Sequence, residues 1–438
     1  MSGTADIGFV EMIRGTISGC SAYTAGGAML VVSGGRALLL DVLVADCQIT
    51  GDELGGGGGG IRIGDGEFIM HSGAIRNCEA PNGYGGALEV NGDAYQVELS
   101  GVTVHGCRAQ RCGFLNLVAG TVRLVDISIE DCEASSESAI LCSGGTLHAE
   151  RVRVVRPGVI RFALSLHGDS SWTDCIFSDF VDRSVNFVGA VNKFCFYIAS
   201  GTHTFTRTTI TSFPTAIMHQ GVSITTILDS HILDCTGYIG EILDYSCLHV
   251  LGGTLALRNT TLRNCGSPQV PAWISFSAEA ATNFQSELLT LEPSCDEDPP
   301  NSVLISVDST FKEPLNARGL RVVVPAACPS ATFSVFSNHV HLMNCSDGDG
   351  ICGAAATCTD VQPLPSVPDL TTASCSCQGE VFANPNGTSL ALAPYGFDPS
   401  AIGLPVGLDR TSVRLPDTTI NYCVRAVLFN HCQWFKHA

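Results

Sequence analysis

The chain has 438 residues, of which 45% are hydrophobic and 15% charged, and that balance excludes an intrinsically disordered polypeptide. Forty-two acidic against 23 basic residues leave a net charge of −19. A surface of that sign repels phosphate backbones and anionic headgroups, which argues against nucleic-acid and polybasic membrane binding.

The first fifteen residues, MSGTADIGFVEMIRG, carry acids and lack the apolar core of a signal peptide. Twenty-one cysteines and three Asn-x-Ser/Thr acceptors, at Asn259, Asn344 and Asn386, point to an oxidising, secretory destination. Sequons also arise by chance in a Ser/Thr-rich chain. Either the protein is intracellular, or this is a piece of a longer secreted or cell-surface protein; the repeat already running at residue 17 favours the second. Between Arg14 and Arg36 lie 21 uncharged residues, the length of a membrane span. Their six glycines and many hydroxyls instead predict short strands and turns, and no transmembrane segment is expected.

Self-comparison then reveals a repeat. Ile17-Ser-Gly-Cys20, Val44-Ala-Asp-Cys47, Ile75-Arg-Asn-Cys78, Val104-His-Gly-Cys107, Ile129-Glu-Asp-Cys132, Ile232-Leu-Asp-Cys235 and Leu262-Arg-Asn-Cys265 share one pattern. The gap fills with Val154 to Pro157, Phe177 to Phe180 and Ile210 to Phe213, so ten units recur at steps of 22 to 33 residues. A second landmark follows most of them: Gly26-Gly-Ala-Met29, Gly85-Gly-Ala-Leu88, Cys112-Gly-Phe-Leu115, Ser138-Ala-Ile-Leu141, Gly189-Ala-Val191 and Thr215-Ala-Ile217. Between the landmarks run alternating segments such as Thr121 to Ile129. Three short strands per unit without helical periodicity predict an all-β fold, a parallel β-helix of about ten rungs. The slot held by Cys20, Cys47, Cys78, Cys107, Cys132, Phe180, Phe213, Cys235 and Cys265 is expected to point inward as a ladder, since Cys behaves as a small buried hydrophobe. The run Gly55 to Gly60 reads as an enlarged, flexible corner, not a phosphate cradle.

The Gly-Gly-Ala-[Ile/Leu/Met] and [apolar]-x-x-Cys-x-Ala combination resembles the GGAI and FxxN repeats of the bacterial polymorphic outer-membrane proteins. Those are right-handed, pectate-lyase-like parallel β-helices, and the resemblance covers roughly residues 10 to 290. Two departures stand out: Phe is replaced by Ile, Val or Leu in most units, and Asn by Cys. No autotransporter barrel follows, so surface anchoring of the bacterial kind does not carry over.

The sequence divides into a β-helix over 10–295, an end cap over 296–344, a Cys-rich module over 345–378 and a Pro/Gly-rich tail over 379–438. The spacing of Cys345, Cys352, Cys358, Cys375 and Cys377 resembles an epidermal-growth-factor-like module. That resemblance implies disulfides Cys345–Cys358 and Cys352–Cys375. The sixth cysteine is displaced to Cys423, so the module is incomplete, expanded by an insertion, or misjoined.

The resemblance also raises carbohydrate cleavage, which needs clustered carboxylates with a base, or an inverting carboxylate pair. The nearest fragments, around His105 and His167, lack the acids and the basic strand, so no catalytic or metal-binding residue is assigned. Asp41, Asp126, Asp174 and Asp229, and Asp46, Asp131, Asp179 and Asp234, form two columns near the slot. Solvated turn positions are the preferred reading, with calcium the one ion they would collect. Asn77, Gly106, Arg156 and Ser212 interrupt the second column. Buried thiols are expected in the rod, and the odd cysteine count leaves at least one thiol free or paired between chains. No cofactor is expected. The expected function is non-catalytic: an extracellular or cell-surface β-helix with an adhesive, glycan-contacting or structural role, whose partners are glycans or cell-surface proteins. The alternative is a lyase or hydrolase acting on wall or matrix glycans.

Overall fold

The computed structural model describes residues 8–292, apart from 52–55, 93–95, 137, 160–161, 183–193, 236–237, 240–243, 267–272 and 277–281, and thereafter only strand segments between 303 and 433. The described residues contain strands and no helix, and they form a parallel β-solenoid of about nine turns. By contact, the chain divides into two compact units, residues 1–313 with 322–340, and residues 314–321 with 341–438.

One turn shows how the sequence closes. Thr121–Val125 is a strand whose even residues, Val122 and Leu124, are buried while Thr121 and Arg123 face solvent. Asp126 then takes a left-handed conformation (φ 55°) and turns the chain into a second strand, Ser128–Glu130, of the same wide sheet. Asp131 (φ 52°) turns it again, which drives Cys132 into the core and opens a two-residue strand, Glu133–Ala134, in another sheet. Ser138–Cys142 follows in a third sheet, and a turn at Gly144 and Gly145 delivers the chain to Thr146–Glu150, directly above its starting strand. Asp and Asn tolerate the left-handed region better than other residues with a Cβ, so the corners select them.

The parallel register aligns Ile17, Val44, Ile75, Val104, Ile129, Val154, Phe177, Ile210, Ile232 and Leu262 in one buried or half-buried column. Leu291 continues it; the repeat hides this member because Ser294, not Cys, stands three residues later. Aromatic rings thicken the middle of the core. Trp172 stacks on Phe205 with centroids 6.4 Å apart, Phe205 on Phe196 at 4.7 Å, and Phe196 meets Phe177 edge-on at 4.7 Å.

One expectation changes. Gly57 to Gly60 are not a flexible corner: they are a buried copy of the Gly-Gly-Ala landmark, stacked between two others. The Gly58 amide donates to the Tyr84 carbonyl at 2.9 Å, Gly59 to Gly85 at 2.9 Å, and Gly26 to Gly57 at 3.1 Å. The first glycine of each landmark is left-handed (Gly26 59°, Gly58 72°, Gly85 63°). The second has no room for a side chain, since a Cβ on Gly59 or Gly86 would lie 2.5 Å from the carbonyl oxygen of the next turn. Gly189-Ala-Val191 lies outside the described residues. The strand stacked between Phe162–Leu166 and Thr215–His219 is Phe194–Ile198.

In the second unit, Ala356–Val361 pairs antiparallel with Thr372–Cys377, setting Cys358 opposite Cys375. Cys345 and Cys352 lie outside the described residues, and for Cys358 and Cys375 only the strand backbone is described.

Candidate functional site

On the wide sheet the residues that alternate with the core form two outward rows. One runs Glu98, Arg123, His148, Ser171, Thr204 and Thr226; the other runs Ser100, Glu150, Thr173 and Thr206, with the buried Val125 between Ser100 and Glu150. Neighbours in a row stand roughly 4.8 Å apart, the spacing of paired strands. Arg123, His148, Glu150, Ser171 and Thr173, floored by Leu124 and Ala149, line a shallow hollow of about 310 Å³. Arg123 Nη1 donates to Glu98 Oε1 at 3.3 Å and Nη2 lies 3.7 Å from Glu150 Oε2, so the cation sits between two carboxylates. His148 Nδ1 and Ser171 Oγ are 2.8 Å apart. Among the described residues no carboxylate is hydrogen-bonded to His148, so this pair lacks the third group that would orient an imidazole as a base. The hollow offers a flat set of donors and acceptors with one guanidinium.

The two Asp columns are the two left-handed corners of each turn. In the first, Arg14, Asp41, Ser72, Gly101, Asp126, Arg151, Asp174, Arg207, Asp229, Asn259 and Leu288 all have φ between 44° and 64°. Charges alternate along its middle. Arg151 forks onto Asp126 (Nε–Oδ1 2.5 Å, Nη2–Oδ2 2.9 Å) and also meets Glu150, while Arg207 forks onto Asp174 (2.6 and 2.8 Å). In the second, Arg156 forks onto Asp131 with both bonds at 2.9 Å. Amides serve the other carboxylates: Asn77 donates to Asp46 at 3.1 Å, Asn259 to Asp229 at 2.7 Å and Asn264 to Asp234 at 2.9 Å. Hydrogen bonds from these guanidinium groups hold the Asp126, Asp131 and Asp174 carboxyls below the usual carboxylate range. Two of the interruptions, Asn77 and Arg156, are therefore partners of the acids. Among the described residues, no cluster of three His, Cys, Asp or Glu side chains could hold a metal ion.

His105 is exposed and lies 3.4 Å from Asp131 through Nε2. His167 is also exposed, with Nε2 at 3.4 Å from Ser165 Oγ and its ring beside Tyr197. Neither belongs to the hollow. Asn259, of the first sequon, is exposed at its corner, with its amide nitrogen donated to Asp229; Asn344 and Asn386 lie outside the described residues.

Cys47, Cys78, Cys107, Cys132, Cys235, Cys265 and Phe213 are buried, while Cys20 and Phe180 are half-buried. Most slot thiols donate to the carbonyl two residues earlier, as Cys47 does to Ala45 at 3.1 Å and Cys235 to Leu233 at 3.3 Å. Cys112, Cys142, Cys175, Cys195 and Cys247 are further buried thiols. Burial pushes Cys142 and Cys175 up to about 11, so these thiols stay protonated and unreactive at neutral pH.

The buried polar groups escaped sequence reasoning. His203 donates from Nε2 to the Ser200 carbonyl at 2.8 Å and accepts at Nδ1 from Ser170, 2.9 Å away. His219 donates from Nδ1 to Gly252 O at 2.7 Å, with Ser223 and Thr225 hydroxyls at 3.0 and 3.1 Å from Nε2. Burial lowers His219 and His249 to about 4. Each sits at one place in an alternating strand, where a lone His carries no signal. On the third sheet, Glu89 is 3% exposed beside Arg62 Nε (3.3 Å) and Asn116 Nδ2 (3.4 Å), and burial raises its carboxyl.

No family model, curated protein or solved structure matches the chain. No helix among the described residues is long and apolar enough to cross a membrane.

Proposed function

We propose that this chain is a non-catalytic β-helix protein of the cell exterior that contacts glycans through the wide sheet, in an adhesive or structural role. The observation that carries the reading is the hollow at Arg123, His148, Glu150, Ser171 and Thr173, continued by the hydroxyls of Thr204, Thr206 and Thr226. Regularly spaced hydroxyl and charged groups on a rigid sheet suit a polymer whose hydroxyls recur along its length. The bonding of Asp46, Asp126, Asp131, Asp174, Asp229 and Asp234 to Arg and Asn supports reading these corners as structural. The right-handed pectate-lyase-like class, the kinship with polymorphic outer-membrane repeats and the growth-factor-like module belong to this proposal, on the sequence motifs alone.

A lyase or hydrolase of the pectate-lyase-like type is the second reading, favoured by Glu89, a buried carboxyl raised by desolvation and set beside a guanidinium. One experiment separates the two. The purified chain is incubated, with and without calcium, against pectic, alginate-like, sulfated and neutral polysaccharides; retained protein and released oligosaccharide are both measured. Retention without release supports the glycan-contacting reading; release of fragments overturns it and directs attention to Glu89.

A further inference from the structure

One turn of the solenoid has cysteine at both of two apposed places. The strand register aligns Ile61, Leu88, Leu115, Ile140, Leu164, Phe196, Ile217 and Leu248 in an inward column, so the residues just before them occupy one equivalent place in each turn. Where that residue is Gly60, a Cβ would lie 3.2 Å from Cys78 Sγ. In the turn of Cys265 the same place is held by Cys247. The two Sγ atoms are 3.1 Å apart and both residues are fully buried. Cys235, in the slot one turn earlier, is a second thiol neighbour of Cys247.

We propose that Cys247 and Cys265 are a disulfide-forming pair that staples this turn when the chain folds in an oxidising compartment. Chemically, the thiolate of one cysteine attacks a low-molecular-weight disulfide such as oxidised glutathione and expels one glutathione thiolate. The second cysteine's thiolate attacks the mixed disulfide and expels the other. Two cysteine thiols become one S–S bond, the oxidant takes two electrons and becomes two glutathiones, and the two cysteine protons end on those glutathiones. In the finished solenoid neither thiol reaches solvent, so the exchange belongs to folding, before the turn closes. The pair is independent of the glycan-contacting reading and stands if that reading fails.

The test is to refold the full chain in a glutathione redox buffer, alkylate free thiols and map tryptic peptides without reduction. Trypsin cuts after Arg258 and Arg263, between the two cysteines, so the bridge joins separate peptides and leaves them about 2 Da lighter than their sum. The expected result is a Cys247–Cys265 link that survives Cys235→Ser and disappears in Cys265→Ser. The wild-type chain should also lose more thermal stability on reduction than Cys247→Ser does. Separate alkylation of Cys247 and Cys265 after oxidative refolding overturns the proposal, as does a bridge from Cys247 to Cys235. If Cys265→Ser does not fold, the peptide map of Cys235→Ser decides, because Cys235 and Cys247 share the tryptic peptide that ends at Arg258.

Discussion

Arg151 grips Asp126, one turn below it, with two parallel hydrogen bonds, although both residues sit in the left-handed backbone region at φ 53° and 55°. A left-handed non-glycine residue costs about 1–2 kcal/mol. Asp meets that cost more easily than Arg, so Arg is an unusual corner residue, and its presence beside Asp126 and Asp174 is accounted for by the forked pairs it makes with one or the other. The corners are at once turn devices and a ladder of alternating charge up the outside of the solenoid.

If the Asp columns serve the corners and not a ligand, their loss should not touch glycan contact. Asp126→Asn with Asp131→Asn is expected to leave retention on any bound polysaccharide unchanged within twofold, while lowering the thermal midpoint. Complete loss of retention in a variant with a native circular-dichroism spectrum would place a site at the corners.

Acid should destabilise the protein in two stages. His219 and His249 are held at about 4 by burial, and His203 is lowered for the same reason. A group whose folded pKa lies below its unfolded value contributes fully above the unfolded value, about 6.5 for His, and loses that contribution as pH falls toward the folded value. Stability should therefore decline between about pH 6.5 and 4, by on the order of 3 kcal/mol per histidine at most. The Asp126, Asp131 and Asp174 carboxyls, held low by Arg, contribute above the ordinary Asp value, and their contribution is lost below about pH 4. Thermal midpoints measured from pH 8 to pH 3 check this. His219→Gln with His249→Gln should flatten the upper stage, and an unchanged midpoint from pH 7 to 4.5 in the wild type would contradict it.

Glycine has two distinct roles here, and substitution separates them. Gly86→Ala places a Cβ 2.5 Å from the Gly113 carbonyl oxygen, so the backbone of adjacent turns must part; a loss of ~3 kcal/mol or more is expected. Gly34→Ala, left-handed at φ 72° but open to solvent, should cost only about 1 kcal/mol. Leu288, at φ 57°, runs the other way, and Leu288→Gly or Leu288→Asn should gain up to ~1 kcal/mol. Urea unfolding of the three variants checks the order.

The parallel β-solenoid was legible because Cys three residues after a buried aliphatic marks the second corner in most turns, and the register follows that alignment. Leu291 was missed because its turn lacks the cysteine. Gly57 to Gly60 was misread because a run of six glycines masks which of them are structural. Arg156 looked like a break in an acidic column, since sequence alone does not show that a basic residue can hold a left-handed corner when an acid lies one turn away. The hollow was illegible for another reason: Arg123, His148 and Ser171 are brought into one row only by stacking, at separations of 25 and 23 residues.

The glycan-contacting account rests on that row, and one measurement tests it most directly. Arg123→Ala with His148→Ala is compared with the wild type for retention on the polysaccharide the protein holds best, with Arg153→Ala on the neighbouring strand as control. The account predicts at least a tenfold loss for the double variant, no loss for the control and native circular dichroism for both. Undiminished retention by the double variant would contradict it.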